Sequence, residues 1–498
     1  MSSSQLPART VAPADQPVLI RSARDVTDLV NSGAARTSHA RMIVVLALGG
    51  IFLDAYDLSS LAYGIKDISR EFGLDAVGTG VVTASIMVGT IVGASFGGYL
   101  VDRIGRYRVF MADMLFFVVA AIGCALAPNA TVLVLFRFLM GIGVGMDLPV
   151  AMAFLAEFSR LRGRGSKGAR TAAWSPAWYA ATSACYLVIL LLYVLIPDAH
   201  HGLLWRFTVG FGAVPALVVL AVRGRYMNES PTWAANQGDL ERAAQILRSS
   251  YGVNAVVAPD AERVTTRRTS AGLREFARLF SPTYRKRTAL GLSAGLAQTF
   301  GYNAIAYGLP VIIASFLAQN ALTTIIASLL LNLAVAVPAG VFGTRVVHVL
   351  GAWRMTVVGF AIQFAALVVL ALVGTPSGTL GAVVALAALG GFLFAQAAGP
   401  GAHFMTFATL SYPTSLRGVG VGFNQSVVRV GATTSLFLFP VLSSGLGTGV
   451  FWVIAVAPAF GVLALLLLRW EPVGYDVDAE DHAEPAPAQK GAASARTE

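Results

Sequence analysis

Apolar residues in this chain collect into long unbroken runs separated by short polar breaks, with no strand-like alternation. The runs lie at roughly 42–64, 77–101, 109–127, 131–157, 172–196 and 205–223. After a polar stretch from 224 to 287, six more follow at roughly 288–317, 322–343, 354–373, 379–408, 419–443 and 448–468. A helix rising about 1.5 Å per residue crosses a hydrocarbon core of about 30 Å in about 20 residues. The pattern therefore predicts an all-α membrane protein with twelve transmembrane helices in two six-helix halves, 42–223 and 288–470. Residues 1–41 read as a polar tail with a short amphipathic turn around Ala23–Val30. Residues 224–287 read as a partly helical linker, and the acidic, Pro/Ala-rich stretch 471–498 as a disordered tail.

Composition agrees with this picture. The 498 residues are 56% hydrophobic and 12% charged, against about 25% charged in soluble domains. The net charge of +10 would suggest nucleic acid if it were spread over the surface. It is concentrated instead in the breaks after the second, fourth, sixth, eighth and tenth runs, including Arg103, Arg106, Arg108, Arg160, Arg162, Arg164, Lys167, Arg170, Arg345 and Arg417. The opposite breaks carry Lys66, Arg70 and Arg206. By the positive-inside rule this asymmetry puts both termini and the linker in the cytoplasm of an inner-membrane protein, and leaves no need for a nucleic-acid partner. The N-terminus has no apolar core of a cleaved signal peptide. Cys124 and Cys185 lie within apolar runs and read as small hydrophobes. His200 and His201 have no further ligands nearby, so no metal is expected. The chain has no P-loop, H-E-x-x-H or G-x-S-x-G motif, so neither ATP-driven transport nor enzyme chemistry is expected, and no cofactor beyond protons.

The candidate chemistry is ionisable groups deep in lipid. In IFLDAYDLSSLAYG (Ile51–Gly64), Asp54 falls about 18 Å beyond the start of its run, near the bilayer centre. A charge there costs at least about 2.5 kcal/mol, which calls for a use. Asp57, three residues on, is expected to share its helix face. Low dielectric and a like charge both favour holding a proton, so the pair is a candidate for proton coupling; the alternative is neutralisation by a buried Arg. Asp147, after Gly141, Gly143 and Gly145, is a further proton-site candidate, with Glu157 at the cytoplasmic end of that run. Arg429, again near mid-membrane, offers a planar fork of donors to an anionic substrate or to an internal acid. Arg137, Gln298, Asn303, Tyr307, Gln396 and His403 complete the candidate substrate set, and Gly399-Pro400-Gly401 marks a hinge.

The halves echo each other: GGYLVDRIGRYR (Gly97–Arg108) and GTRVVHVLGAWR (Gly343–Arg354) occupy corresponding breaks. The ordered G-x-x-x-D-R-x-G-R spacing of Gly98, Asp102, Arg103, Gly105 and Arg106 resembles the signature loop of the major facilitator superfamily. So do RFLMGIGVGMDLPVAMAFLAEFSRLRGRG (Arg137–Gly165) and ESPTWAANQGDLERAAQIL (Glu229–Leu247). That resemblance implies alternating access, with the signature residues, Glu157 and Arg417 gating, and a monomeric carrier of a small molecule in the lipid bilayer. The branch stays open. Asp54-AYD-Asp57 resembles aromatic-acid and phosphate proton symporters, and Tyr412–Ala432 resembles organic-acid symporters. Gln298, Gly301, Asn303 and Tyr307 resemble sugar porters. The phosphate group's seventh-helix acid would fall at Asn303, which cannot ionise. The favoured expectation is proton symport of an organic or aromatic carboxylate. The alternatives are a sugar, polyol or phosphate symporter, a drug:proton antiporter, or a non-transporting sensor.

Overall fold

The computed structural model describes residues 17–31, 40–157, 167–226, 229–261, 273–316, 321–376, 378–475 and 477. Strand β1 (Val18–Ile20) and helix α1 (Ala23–Asn31) open the described chain. Six passages follow: α2 (Ala40–Glu71), α3 (Ala76–Ile104), α4 (Arg106–Ala125), α5 (Ala130–Glu157), then α7 (Trp174–Leu195) after the short α6 (Lys167–Ala172), and α8 (Leu204–Phe211) running into α9 (Ala213–Tyr226). The linker contributes α10 (Pro231–Asn236), α11 (Leu240–Tyr251), strand β2 (Ala255–Val257) and α12 (Leu273–Arg278). The second six are α13 (Arg285–Phe316), α14 (Ala321–Leu330) with α15 (Val337–Leu350), α16 (Ala352–Val373), α17 (Gly378–Ala398) with α18 (Pro400–Leu410), α19 (Thr414–Leu446) and α20 (Val450–Leu467). The architecture is the expected twelve-helix, two-half bundle. One apolar core gathers Leu53, Phe117, Met140 and Trp205 in the first half; another gathers Ile305, Leu367, Phe392 and Ile454 in the second. Leu126, Val194, Leu195, Leu372 and Leu380 lie exposed on the outside, where lipid rather than water suits them.

Two breaks inside passages have a chemical cause. Pro338 lacks the N–H that would bond back into the preceding turn, and Leu331–Ala336 widens into a π-helical turn just before it. Gly399 leaves helical geometry (φ −115°, ψ −106°) ahead of Pro400, so the tenth passage is broken at the Gly-Pro-Gly segment. Elsewhere small residues tighten the bundle. Gly89 and Gly93 on α3 face the backbone at Phe138 and Ile142 on α5, while Gly141 and Gly145 face Ile86 and Thr90 in return. A side chain at any of these four would meet backbone, which is how glycines four apart let two membrane helices touch.

The terminal segments depart from the expectation of simple tails. Val18, Leu19 and Ile20 pair in parallel with Ala255, Val256 and Val257 of the linker. With α1, α10 and α11 they enclose a small core of Ile20, Val26, Ala243, Leu247 and Ala255. Local signals explain these elements: Ser230 caps α10 with Pro231 in its first turn, Asp239 caps α11, and Gly252 ends α11 at φ +64°. Helix α1 covers the amphipathic turn expected around Ala23–Val30, whereas the apolar stretch VLI is too short to stand out from its polar surroundings in the sequence. Glu471, read as the start of a tail, instead caps a helix: its carboxylate accepts from the amides of Ala352 (3.1 Å) and Trp353 (2.9 Å). Glu229 does the same for α4, accepting from the amide of Tyr107 at 3.3 Å. The turns these carboxylates cap are the repeated ones, with Gly105 at φ 100°, ψ 156° and Gly351 at φ 80°, ψ 154°. The internal repeat is thus a repeated geometry: a glycine turn with a carboxylate at the positive end of the next helix. The rest of the expected tails, 1–16, 32–39, 476 and 478–498, lies outside the described residues.

Candidate functional site

Between the halves lies a cavity lined from both sides. The first half contributes Ile51 and Leu58 from α2, Met87 from α3, and Trp174, Ser175, Trp178 and Tyr179 from α7. The second half contributes Gln298, Thr299, Tyr302 and Asn303 from α13, Gln396, Gly401, Phe404 and Met405 from α17 and α18, and Gln425, Val428 and Arg429 from α19. Five aromatic rings stand in its wall. Trp174 meets Phe404 edge-on at 5.3 Å and Trp178 at 5.7 Å, and Trp178 donates its indole N–H to the Tyr302 hydroxyl at 2.6 Å. Such edge-to-face contacts fix ring orientation and leave flat apolar faces for a ligand.

The amides are held at one end and offered at the other. Asn303 donates its Nδ2 to the Thr299 carbonyl at 2.7 Å, and the Thr299 hydroxyl donates to Gln298 Oε1 at 2.9 Å. Gln363 on α16 donates to Gln396 Oε1. Arg429, half-buried, is the charged group on the cavity wall; its Nη1 reaches Met87 Sδ across the gap at 3.5 Å. Asp54, one turn from both Ile51 and Leu58 on α2, lies within electrostatic reach of Arg429, and its Oδ2 is buried without a donor among the described residues.

The two carboxylates of α2 have different surroundings: Asp57 is ion-paired, whereas Asp54 makes no ion pair among the described residues. Asp57 accepts a 2.6 Å bond from Arg137 Nη1, with Asp57 2% and Arg137 0% exposed. Arg137, a candidate substrate residue, is absent from the cavity wall here; it bonds Asp57 and, through Nη2 at 3.4 Å, the Tyr307 hydroxyl. Tyr307, also expected at the substrate, therefore faces the ion pair, one turn beyond the cavity residue Asn303. His403 does not line the cavity either. It sits in the first turn of the fully buried α18.

Asp147 is held deeper toward the end of the bundle that carries the linker helices, the linker side. Arg223 Nη2 donates to Asp147 Oδ1 at 3.0 Å, while Nη1 donates to Asp113 Oδ1 at 3.2 Å and to the Phe110 carbonyl at 2.9 Å. Asp113 and Arg223 were missed in the sequence. Arg223 reads there as one more basic residue at a run's end, and Asp113 as a lone acid near one; only the depth of Asp113 inside its run could have signalled it.

Of the expected gating residues, Gly105 forms the capped turn, and Arg417 donates Nε to the Thr409 carbonyl at 3.0 Å, closing the end of α18. For Gly98, Asp102, Arg103, Arg106 and Glu157 the helical backbone is seen but their side chains lie outside the described residues.

The sugar (and other) transporter family model matches residues 42–478. The chain belongs to that family. It is a major facilitator superfamily transporter, a multi-pass membrane protein that carries small molecules and is not an enzyme. The transporter is 28% identical over 404 residues to the inner membrane metabolite transport protein YgcS of Escherichia coli K12, covering 81% of this chain and 84% of that protein. It is 28% identical over 276 residues to the arabinose-proton symporter of Bacillus subtilis 168, covering 54% and 58%. Its fold is similar to that of the proton:xylose symporter XylE bound to 6-bromo-6-deoxy-D-glucose, with a TM-score of 0.71 at 18% identity, over 91% of this chain and 99% of that one.

Proposed function

We propose that the transporter is a proton symporter for a small organic metabolite, an organic or aromatic carboxylate, working by alternating access in the cytoplasmic membrane as a monomer without a cofactor. The observation that carries this reading is Arg429: a guanidinium on the wall of an otherwise neutral cavity of aromatic rings and amides. A carboxylate would take the guanidinium's paired donors, and an attached ring or chain would lie against Trp174, Trp178 and Phe404. The distribution of Lys and Arg supports a cytoplasmic linker and termini.

Coupling would run through the buried ion pair. A proton on Asp57 removes its charge and loosens Arg137, which then turns toward the Tyr307 hydroxyl already beside it. Tyr307 stands on α13, the helix that presents Gln298, Thr299, Tyr302 and Asn303, so the proton biases the helix that holds substrate. Asp54 would exchange Arg429 with the incoming carboxylate, becoming protonated as the substrate takes its place. Neutral groups throughout the cavity then oppose closure less than charged ones do.

A sugar or polyol is the second reading. The amides of Gln298, Asn303, Gln396 and Gln425 supply paired donors and acceptors for hydroxyls, and the relatives' names include an arabinose-proton symporter. Uptake of labelled benzoate, phosphate and hexoses into vesicles, with and without an inward proton gradient, separates the readings. Gradient-driven benzoate accumulation that Arg429→Gln abolishes is expected. Accumulation of hexose alone, indifferent to Arg429→Gln, would give the site to a sugar, and gradient-independent flux would remove symport.

A further inference from the structure

Three ionisable stations follow one another along α2 within the first half. Toward the far side lies the Asp57–Arg137 pair; one turn back is Asp54; one further turn back, at Gly50, lies the Arg223 cluster. A side chain on Gly50 would collide with Asp147 Oδ2 and reach Arg223 Nη2 at 3.0 Å, so the cluster sits directly against α2 where that helix has no side chain. Asp147 and Arg223 both act electrostatically on Asp54.

The charges of the cluster do not balance. Asp113, Asp147 and Arg223 are 0%, 1% and 0% exposed, so two carboxylates share one guanidinium out of reach of water. The guanidinium takes one oxygen of each acid, and it lies 3.4 Å above the Phe110 ring, which neutralises nothing. The other oxygens, Asp113 Oδ2 and Asp147 Oδ2, are buried with no donor among the described residues. Yet the two carboxyls are close enough to hydrogen-bond with each other. As two carboxylates neither can donate; with one proton between them, one donates, both oxygens are satisfied, and the cluster is neutral. The nearest other charged groups in the described interior are Asp54 on α2 and, beyond it, Arg429 on α19; Arg225 on α9 is exposed.

We propose that Asp113, Asp147 and Arg223 form a proton-binding site that holds one proton between its two carboxyls and relays it between Asp54 and the linker-side face. This extends the symport reading and rests on it for the relay, though not for the bound proton. In the relay, the Asp54 carboxyl gives its proton to Asp147 and, when alternating access opens the linker side and admits water to Asp113, the cluster's proton leaves there, so the cluster is neutral before and after. The position suits this. Asp113 stands seven residues into α4 and Arg223 three residues before the end of α9, both at their linker-side ends.

The test is infrared difference spectroscopy of the full-length protein in detergent at pH 7, reading the carbonyl stretch of protonated carboxyls without any substrate. Asp113→Asn and Asp147→Asn should each remove the same single carboxyl band, whereas Asp54→Asn and Asp57→Asn should leave it. Asp113→Glu should keep it at a shifted frequency. Each Asn variant leaves one carboxylate opposite Arg223, a balanced pair that should fold, and the two read the same band independently. A band that survives both Asn variants, that tracks Asp54 alone, or that stays unshifted in Asp113→Glu overturns the proposal. Because no substrate is present, that result leaves gradient-driven uptake by the wild type intact, and loss of uptake in the wild type would not touch the band.

Discussion

The two halves share a fold and a repeated glycine turn, yet they bury different chemistry. Among the described residues the first half buries Asp54, Asp57, Asp113, Arg137, Asp147 and Arg223. The second buries Arg287, at the linker-side start of α13, and otherwise neutral polar groups such as Gln298, Asn303, Gln363, Gln396 and Gln425. Charge in low dielectric is costly and responds strongly to a proton, so the first half can switch. Amides and aromatic rings respond weakly to protons but match shape and hydrogen-bond pattern, so the second half can recognise. Arg429 is the crossing point, a cation of the second half reaching Met87 of the first.

Removing a cation from the charged half should have the largest effect. Arg223→Gln strands two acids, and Arg137→Gln strands Asp57; each should cost about 3–5 kcal/mol of stability, read as a lower unfolding temperature in detergent. The double variant Asp57→Leu/Arg137→Met should regain most of that stability while remaining uncoupled, because a packed apolar pair replaces the ion pair without its desolvation cost. If Arg223→Gln were as stable as wild type, the first half would not depend on its charges.

Next in size is Arg429→Gln, which should weaken benzoate binding by about 1.5–3 kcal/mol, roughly ten- to a hundred-fold, with unfolding temperature unchanged. Equal loss of stability and affinity would make Arg429 part of the scaffold. Smaller again is Tyr302→Phe, which removes the acceptor of the Trp178 indole and should weaken binding by about 0.5–1.5 kcal/mol, seen in a titration of Trp fluorescence. The smallest effect tests where the halves should agree. Glu229→Gln and Glu471→Gln should each lower stability by about 0.3–1 kcal/mol, and by similar amounts, since each carboxylate caps one helix start. A large difference between the two would mean that one cap also gates.

Much of this was legible in the chain because lipid imposes simple rules. Run length gave the twelve passages, and the single Gly-Pro-Gly segment marked the break before α18. Mid-membrane depth singled out Asp54, Asp57, Asp147 and Arg429, because an acid or guanidinium there is conspicuous whatever its partner. The partners themselves were not legible. Arg137 and Asp57 are 80 residues apart, Arg223 and Asp113 110 apart, and periodicity says nothing about which helices adjoin. The aromatic wall was missed because Trp174, Trp178, Tyr302 and Phe404 look in sequence like any other apolar membrane residue. Strand β1 was missed because its pairing partner lies in the linker, 237 residues away.

The division of labour itself is tested most directly by one pair of assays on Asp57→Asn in vesicles: accumulation of labelled benzoate driven by an inward proton gradient, and benzoate counterflow, which needs no net proton movement. The account expects accumulation to fall at least tenfold while counterflow stays within about threefold of wild type. Accumulation persisting in this variant, or both modes failing together in a protein that still folds, would contradict it.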